Sequence, residues 1–173
     1  MDQRAAGPKV PVSLPRQYNA ADHFIGRHLS EGRGAKVAVI DDAGSYTYAD
    51  LAGRVNRAGN VLKSLGVRME QRVVLCLLDT VDFPALFWGA IKIGAVPVPV
   101  NTLLTTADYD YILRDSRASV LVVSAALLEK FQPIRHSQPH LRTLLVSGSG
   151  GGVALGGYHN FSSLSATASD RLE

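Results

Sequence analysis

Four groups of residues in this chain have types and spacings that could do chemistry. The first is VSGSGGGVALGG, running from Val146 to Gly157. Glycine-rich stretches hold phosphate when small residues let successive backbone N–H groups converge on one anion, usually at a helix N-terminus. A P-loop also needs a following Lys-Ser/Thr, so that a cation reaches the phosphates and a hydroxyl holds magnesium. Here Tyr158, His159, Asn160 and Phe161 follow instead. A dinucleotide turn sits between the first strand and helix of a βαβ unit, whereas these glycines come after the last strand the pattern supports. The stretch reads as a flexible connector.

The second group is His136 and His140, whose spacing would put two imidazoles on one face of a helix. Pro139 breaks such a helix and no acid intervenes, so the pair reads as a surface loop and no metal site is assigned. His23 and His28 are spaced so that they do not share a face. The third group is Asp79 and Asp82, two carboxylates at a strand-to-helix junction. Acid–base work is one use of such a pair. The expected use is structural: Asp79 or Thr80 as helix cap, with Asp82 complementing the dipole in the first turn. The fourth is Cys76 inside VVLCLL, the one cysteine of the chain. It has no activating partner nearby in sequence and reads as a small core hydrophobe. Ser45, Ser116 and Ser124 lack a G-x-S-x-G elbow. No catalytic residue is assigned.

The elements that would position these groups follow from periodicity. Ala20 to Gly32 has helical spacing, with Phe24, Ile25, His28 and Leu29 on or near one face. Val37–Ile40 and Ser45–Tyr48 flank Asp41-Asp42-Ala43-Gly44 and read as a hairpin. Thr47 with Asp50 is a capping pair, and Leu51, Val55, Ala58, Val61, Leu62 and Leu65 recur at helical spacing until Gly66. Strands are expected at Arg72–Leu78, Ala95–Val100, Ser119–Val123 and Arg142–Val146. Helices are expected at Val81–Ile93, Thr105–Asp115 and Ala125–His136. The prolines of AVPVPV place that strand at an edge. Beyond Val146 no further strand or helix is supported. The fold class is α/β, a mainly parallel sheet with flanking helices, preceded by a helix and a β-hairpin. The expected organisation is a mobile N-terminal arm at 1–17, an α/β N-terminal subdomain at 18–147, and a Gly/Ser-rich linker and tail at 148–173, whose final Leu172-Glu173 could be native or a remnant of expression.

Composition narrows the partners. The 173 residues are 46% apolar and 19% charged, the balance of a soluble globular domain. A net charge of +3 spread over interleaved signs gives no basic patch for nucleic acid. A lone thiol fits a reducing compartment such as the cytoplasm. Val73–Val100 is the longest apolar region, but Asp79, Asp82, Pro84, Lys92, Pro97 and Pro99 exclude a membrane span there.

One segment is more specific than its chemistry: GAVPVPVNTLLTTADYDYILRDS, Gly94 to Ser116. A strand end gives way to the loop Asn101-Thr102-Leu103-Leu104 and then a capped helix. Ligands of open α/β sheets collect outside the carboxyl ends of strands, so this loop is placed to border a site. Together with IDDAGSYTYADLAGRVNRAGNVLKSLGV, RVVLCLLDTVDFPALFWGAIKIGAVPVPVN, YILRDSRASVLVVS and YNAADHFIGRHL, it resembles the N-terminal region of adenylate-forming acyl-CoA synthetases. The forms DDAGSYTY and LDTVDFPALFWG resemble the benzoate–CoA ligase branch in particular. The resemblance covers Tyr18 to Val146.

It implies a parent enzyme that uses ATP and magnesium to activate an aromatic carboxylate as acyl-AMP, then passes the acyl group to CoA. It also implies a Ser/Thr/Gly-rich phosphate loop with a lysine, and a lysine-bearing C-terminal domain. Neither occurs in these residues, and the resemblance puts the phosphate loop after Glu173. The expectation is a fragment, inactive alone, whose partner is the remainder of the ligase chain and whose uncovered apolar surface favours a homodimer. The residues Asn101, Thr102 and Leu103 are then candidates for the border of the CoA or substrate tunnel. The competing expectation is a self-contained α/β ligand-binding or interaction module without catalysis.

Overall fold

The computed structural model describes residues 15–148 and 157–172. The chain enters through a π-helical turn, Asp22–Gly26, that runs into a short helix α1, Arg27–Ser30. Of the face expected to be apolar, only Ile25 is buried; Phe24 and Leu29 are 49% and 43% exposed. The Arg27 amide reaches back to the Asp22 carbonyl, an i→i+5 bond, so the regular α-helical spacing does not carry through this turn. The hairpin follows as β1, Val37–Asp41, and β2, Gly44–Thr47. Thr47 then caps α2, Tyr48–Ser64: its side chain accepts from the Asp50 amide, and Asp50 accepts in return from the Thr47 amide.

The sheet has strand order β4-β3-β5-β6-β7, with every pairing parallel. Its strands are β3 (Arg72–Cys76), β4 (Val96–Pro99), β5 (Val120–Ser124), β6 (Thr143–Ser147) and β7 (His159–Asn160). Proline-bearing β4 is an edge strand, where a missing N–H costs no ladder bond. Alternate side chains of the central strands enter two different cores. Val73, Leu75, Val120, Val122 and Leu145 pack under α2, α3 (Asp82–Lys92) and α5 (Phe161–Thr167). Val74, Cys76, Leu121, Val123 and Val146 pack on the other side under α4, Thr106–Ser116, and the segment after β5. A smaller core, formed by Ile25, Leu51, Val55 and Val81, seats the hairpin.

Two expectations are corrected. Ala125–His136 is not one helix but two 3-10 stretches, Ala125–Lys130 and Arg135–Ser137. Pro133 lies between them and has no N–H to continue a helical ladder. The tail is not structureless: residues 159–160 add a strand to the sheet, and α5 follows, capped by Asn160, whose side chain accepts from the Ser163 amide at 2.8 Å. Its anchor is one aromatic, Phe161, at 3% exposure. Residues 169–172 then lie along α2. Asn60 donates to the carbonyls of Ser169 and Arg171 at 2.9 and 2.8 Å, and Asn56 to that of Asp170 at 2.7 Å. Leu172 fills the notch over Gly59. The connector reading of the glycine run falls on residues 149–156, outside the described residues, as does most of the arm at 1–17.

Helices α2 and α3 approach each other at Gly59 and Gly89. A Cβ on Gly89 would stand 2.9 Å from the Val55 carbonyl, the Gly59 nitrogen and the Ala58 Cβ. Backbone atoms cannot swing aside as a flexible side chain can. Gly89→Ala is therefore expected to destabilise the fold by about 1–3 kcal/mol through overpacking, read as a lower urea midpoint with an unchanged m-value; a midpoint equal to that of the unsubstituted chain would contradict the close approach.

Candidate functional site

Strand β3 sends its chain to α3 on one face of the sheet, and its neighbour β4 sends its chain to α4 on the other. Adjacent parallel strands whose connections diverge leave a crevice between their carboxyl ends, and ligands of open α/β sheets bind in such crevices. The depression found there has a volume of about 290 Å3. Leu77, Leu78 and Asp79 after β3, Pro99 to Thr102 after β4, and Phe83 of α3 line it. Its walls mix apolar Leu77, Leu78, Phe83, Pro99 and Val100 with polar Asn101, Thr102 and Asp79.

Side chains from elsewhere hold both rims. On the β3 side, the Leu78 amide donates to the Ser124 hydroxyl at 2.9 Å, and Ser124 is the last residue of β5. On the β4 side, the Asn101 side chain accepts from the Leu103 amide at 2.8 Å, forming a tight turn. The Tyr109 hydroxyl donates to the Asn101 carbonyl at 2.8 Å, and the Lys130 ammonium donates to the Thr102 and Leu104 carbonyls at 2.8 and 3.3 Å. Behind Tyr109 lies Cys76, whose thiol donates to the hydroxyl oxygen at 3.5 Å. Burial pushes the pKa of both the Cys76 thiol and the Tyr109 hydroxyl up, so both groups are protonated donors at neutral pH. Cys76 is accordingly a packed hydrogen-bonding group and not a nucleophile.

Of the residues expected at the site, Asn101 and Thr102 line the depression, while Leu103 is not among its lining residues and is 84% exposed. The expected caps of α3 are not used. Its N-cap is Val81, with no side-chain cap bond, and the Val81 amide donates at 2.8 Å to Asp41 of the hairpin. A turn carboxylate distant in sequence has taken the place of Asp79 or Thr80. Asp82 accepts from the Ser147 hydroxyl at 2.6 Å and so ties α3 to the end of β6. His136 and His140 are both exposed, on and after the second 3-10 stretch. Sequence reasoning missed Ser124, Lys130 and Asp41, because each acts on backbone 26 or more residues away.

A larger groove, about 730 Å3, runs between β2, α2 and α5. Its charges are matched internally: Arg57 lies 3.6 Å from Asp170, Arg54 lies 4.0 Å from Asp82 and 4.7 Å from the centre of the Tyr46 ring, and Asp50 is engaged in the α2 cap. The strand-end depression is the better candidate.

The description "AMP-binding enzyme" fits residues 27–160. The chain belongs to the AMP-binding enzyme family. It is 50% identical over 163 residues to benzoate–CoA ligase of Thauera aromatica, covering 94% of this chain and 30% of that one. It is 48% identical over 133 residues to 4-hydroxybenzoate–CoA/benzoate–CoA ligase of Rhodopseudomonas palustris, covering 77% of this chain and 25% of that one. Among solved structures, the anthranilate CoA ligase AuaEII in complex with anthranoyl-AMP superposes with a TM-score of 0.85 at 36% identity, over 92% of this chain and 30% of that one. A benzoate CoA ligase from Burkholderia xenovorans LB400 gives 0.76 at 38% identity, over 88% and 29%. The chain thus spans less than a third of the length of these relatives. The α/β parallel-sheet architecture is the one they share, and a self-contained module finds no support among them. Among the described residues no helix is long and apolar enough to cross a membrane.

The hairpin's grip on α3 is sensitive to acid. The Asp41 carboxylate accepts from the amides of Val81, Ala43 and Gly44, and these bonds, Val81's first, hold its pKa below the ordinary carboxylate value. A depressed folded-state pKa adds stability above the unfolded value, and that stability is lost as pH falls through the folded one. Asp50, Asp108 and Asp110 are shifted the same way. The urea midpoint should therefore drop as pH is lowered below about 4. In Asp41→Asn that drop should be shallower; an equally steep one would exclude Asp41 as a contributor.

Proposed function

We propose that this chain is the N-terminal part of an ATP-dependent aryl-CoA ligase acting on benzoate or a substituted benzoate. The observation that carries the reading is 50% identity to a benzoate–CoA ligase over 94% of the chain. The parent reaction forms an acyl-AMP from carboxylate and ATP with release of pyrophosphate. The CoA thiol then displaces AMP to give the thioester. ATP, CoA and magnesium are its co-reactants, and the cytoplasm, which supplies them, is its setting.

The strand-end depression does not suit a triphosphate, because no lysine or arginine lines it. A phosphate cradle must come from other residues, and no step is assigned here to ATP or its metal. What the depression does suit is an aromatic ring or the slender neutral arm of CoA. In this reading Asn101 and Thr102 border the CoA or substrate tunnel, with the exposed Leu103 next to them in the same loop. Ile40, Val37 and Phe24, exposed on the hairpin and the first helical turn, suit cover by the remainder of the ligase chain.

The reading is tested by exchange of labelled pyrophosphate into ATP. The 173-residue chain should show no benzoate-dependent exchange. A chimera in which it replaces the matching segment of the Thauera aromatica benzoate–CoA ligase should show exchange and should form benzoyl-CoA. Exchange by the isolated chain, or a folded chimera that cannot adenylate benzoate, would overturn the proposal.

A further inference from the structure

The loop after β4 makes no regular backbone ladder, yet three of its four carbonyls are taken up by two side chains. Tyr109, on the first turns of α4, holds Asn101; Lys130, at the end of the first 3-10 stretch, holds Thr102 and Leu104. Lys130 is itself fixed through its backbone, since its carbonyl accepts from the Thr106 hydroxyl at 3.0 Å. Its ammonium also lies 5.9 Å from the centre of the Tyr109 ring, so the two holding groups face each other. Tyr109 is in turn set by Phe131, ring centres 4.5 Å apart, and by the Cys76 thiol.

A flexible lysine on the surface of a 3-10 stretch has its full rotamer freedom to lose, and ordering it needs a compensating gain. Two charge-assisted bonds to the Thr102 and Leu104 carbonyls supply one. We infer that Lys130 and Tyr109 are positioning residues of the strand-end site: together they clamp the Asn101–Leu104 loop in the conformation that shapes the depression. They touch loop backbone and not the ligand, so they act on binding through the loop. The consequence for substrate binding rests on the ligase reading above; the clamp itself does not.

The first test is hydrogen exchange on the 173-residue chain. In Lys130→Met, which keeps the aliphatic stem, exchange at the Leu103 amide should rise about tenfold, while amides of β3 and β5 stay protected. Tyr109→Phe, which keeps the ring on Phe131, should raise it in the same direction, and Lys130→Arg should restore protection. Unchanged loop exchange in both variants would overturn the clamp, as would an equal rise throughout β3 and β5. The second test uses the ligase chimera. There Lys130→Met should raise KM for benzoate or CoA about fivefold with kcat within about twofold, the pattern of lost binding geometry and not of lost chemistry. A freed loop with both KM values unmoved would overturn its role at the site. An inactive unsubstituted chimera would count against the ligase reading alone, and the exchange result would still decide the clamp.

Discussion

A parallel sheet covered on both faces imposes the constraint from which the rest of this structure follows. All five residues of β5, Val120 to Ser124, are buried, so neither face can be given to solvent or to a polar run. The helices must divide between the two sides, and they do: α2, α3 and α5 on one, α4 and the 3-10 stretches on the other. Close packing on the first side then requires the glycine contact between α2 and α3. That contact lets the 17-residue α2 sit in the same layer as α3.

Dividing the helices also creates the site. Because β3 and β4 lie side by side and discharge their chains to opposite layers, the space between their ends cannot be filled by either connection. Two loops leave the depression open, and loops carry backbone polar groups that regular structure would have satisfied. Ser124, Tyr109 and Lys130 meet that demand from neighbouring elements. The same bonds that satisfy the backbone therefore fix the walls of the depression.

The sheet and most helices were legible in the sequence because each rests on local information. Thr47 with Asp50 and Thr105 with Asp108 mark helix starts by spacing alone, and both pairs form reciprocal caps. Continuous apolar runs mark β3 and β5. What was not legible depends on contacts made across the chain. Helix α5 has a serine-rich sequence and one buried aromatic, so its stability comes from docking and not from its own pattern. Asp79 looked like the cap of α3, and only the folded hairpin brings Asp41 to the Val81 amide. The loop at Asn101 was readable as a strand-end loop; what holds it was not, since Lys130 sits in a segment whose periodicity suggested a plain helix. The segment is 3-10 and ends at Lys130, whose ammonium reaches the Thr102 carbonyl 28 residues earlier.

Both rims of the depression are tied to one stretch of chain. Ser124 holds the β3 rim, and Lys130 holds the β4 rim six residues later, just beyond the strand with the least freedom in the fold. The two walls are thus not independent loops that close separately on a ligand. They share a foundation in the buried end of β5, and a displacement of the 3-10 stretch that carries Lys130 would move the Asn101–Leu104 wall relative to a β3 wall that Ser124 keeps in place. The geometry ties the β3 side of the site through Ser124, and the β4 side through Lys130 together with Tyr109 of α4.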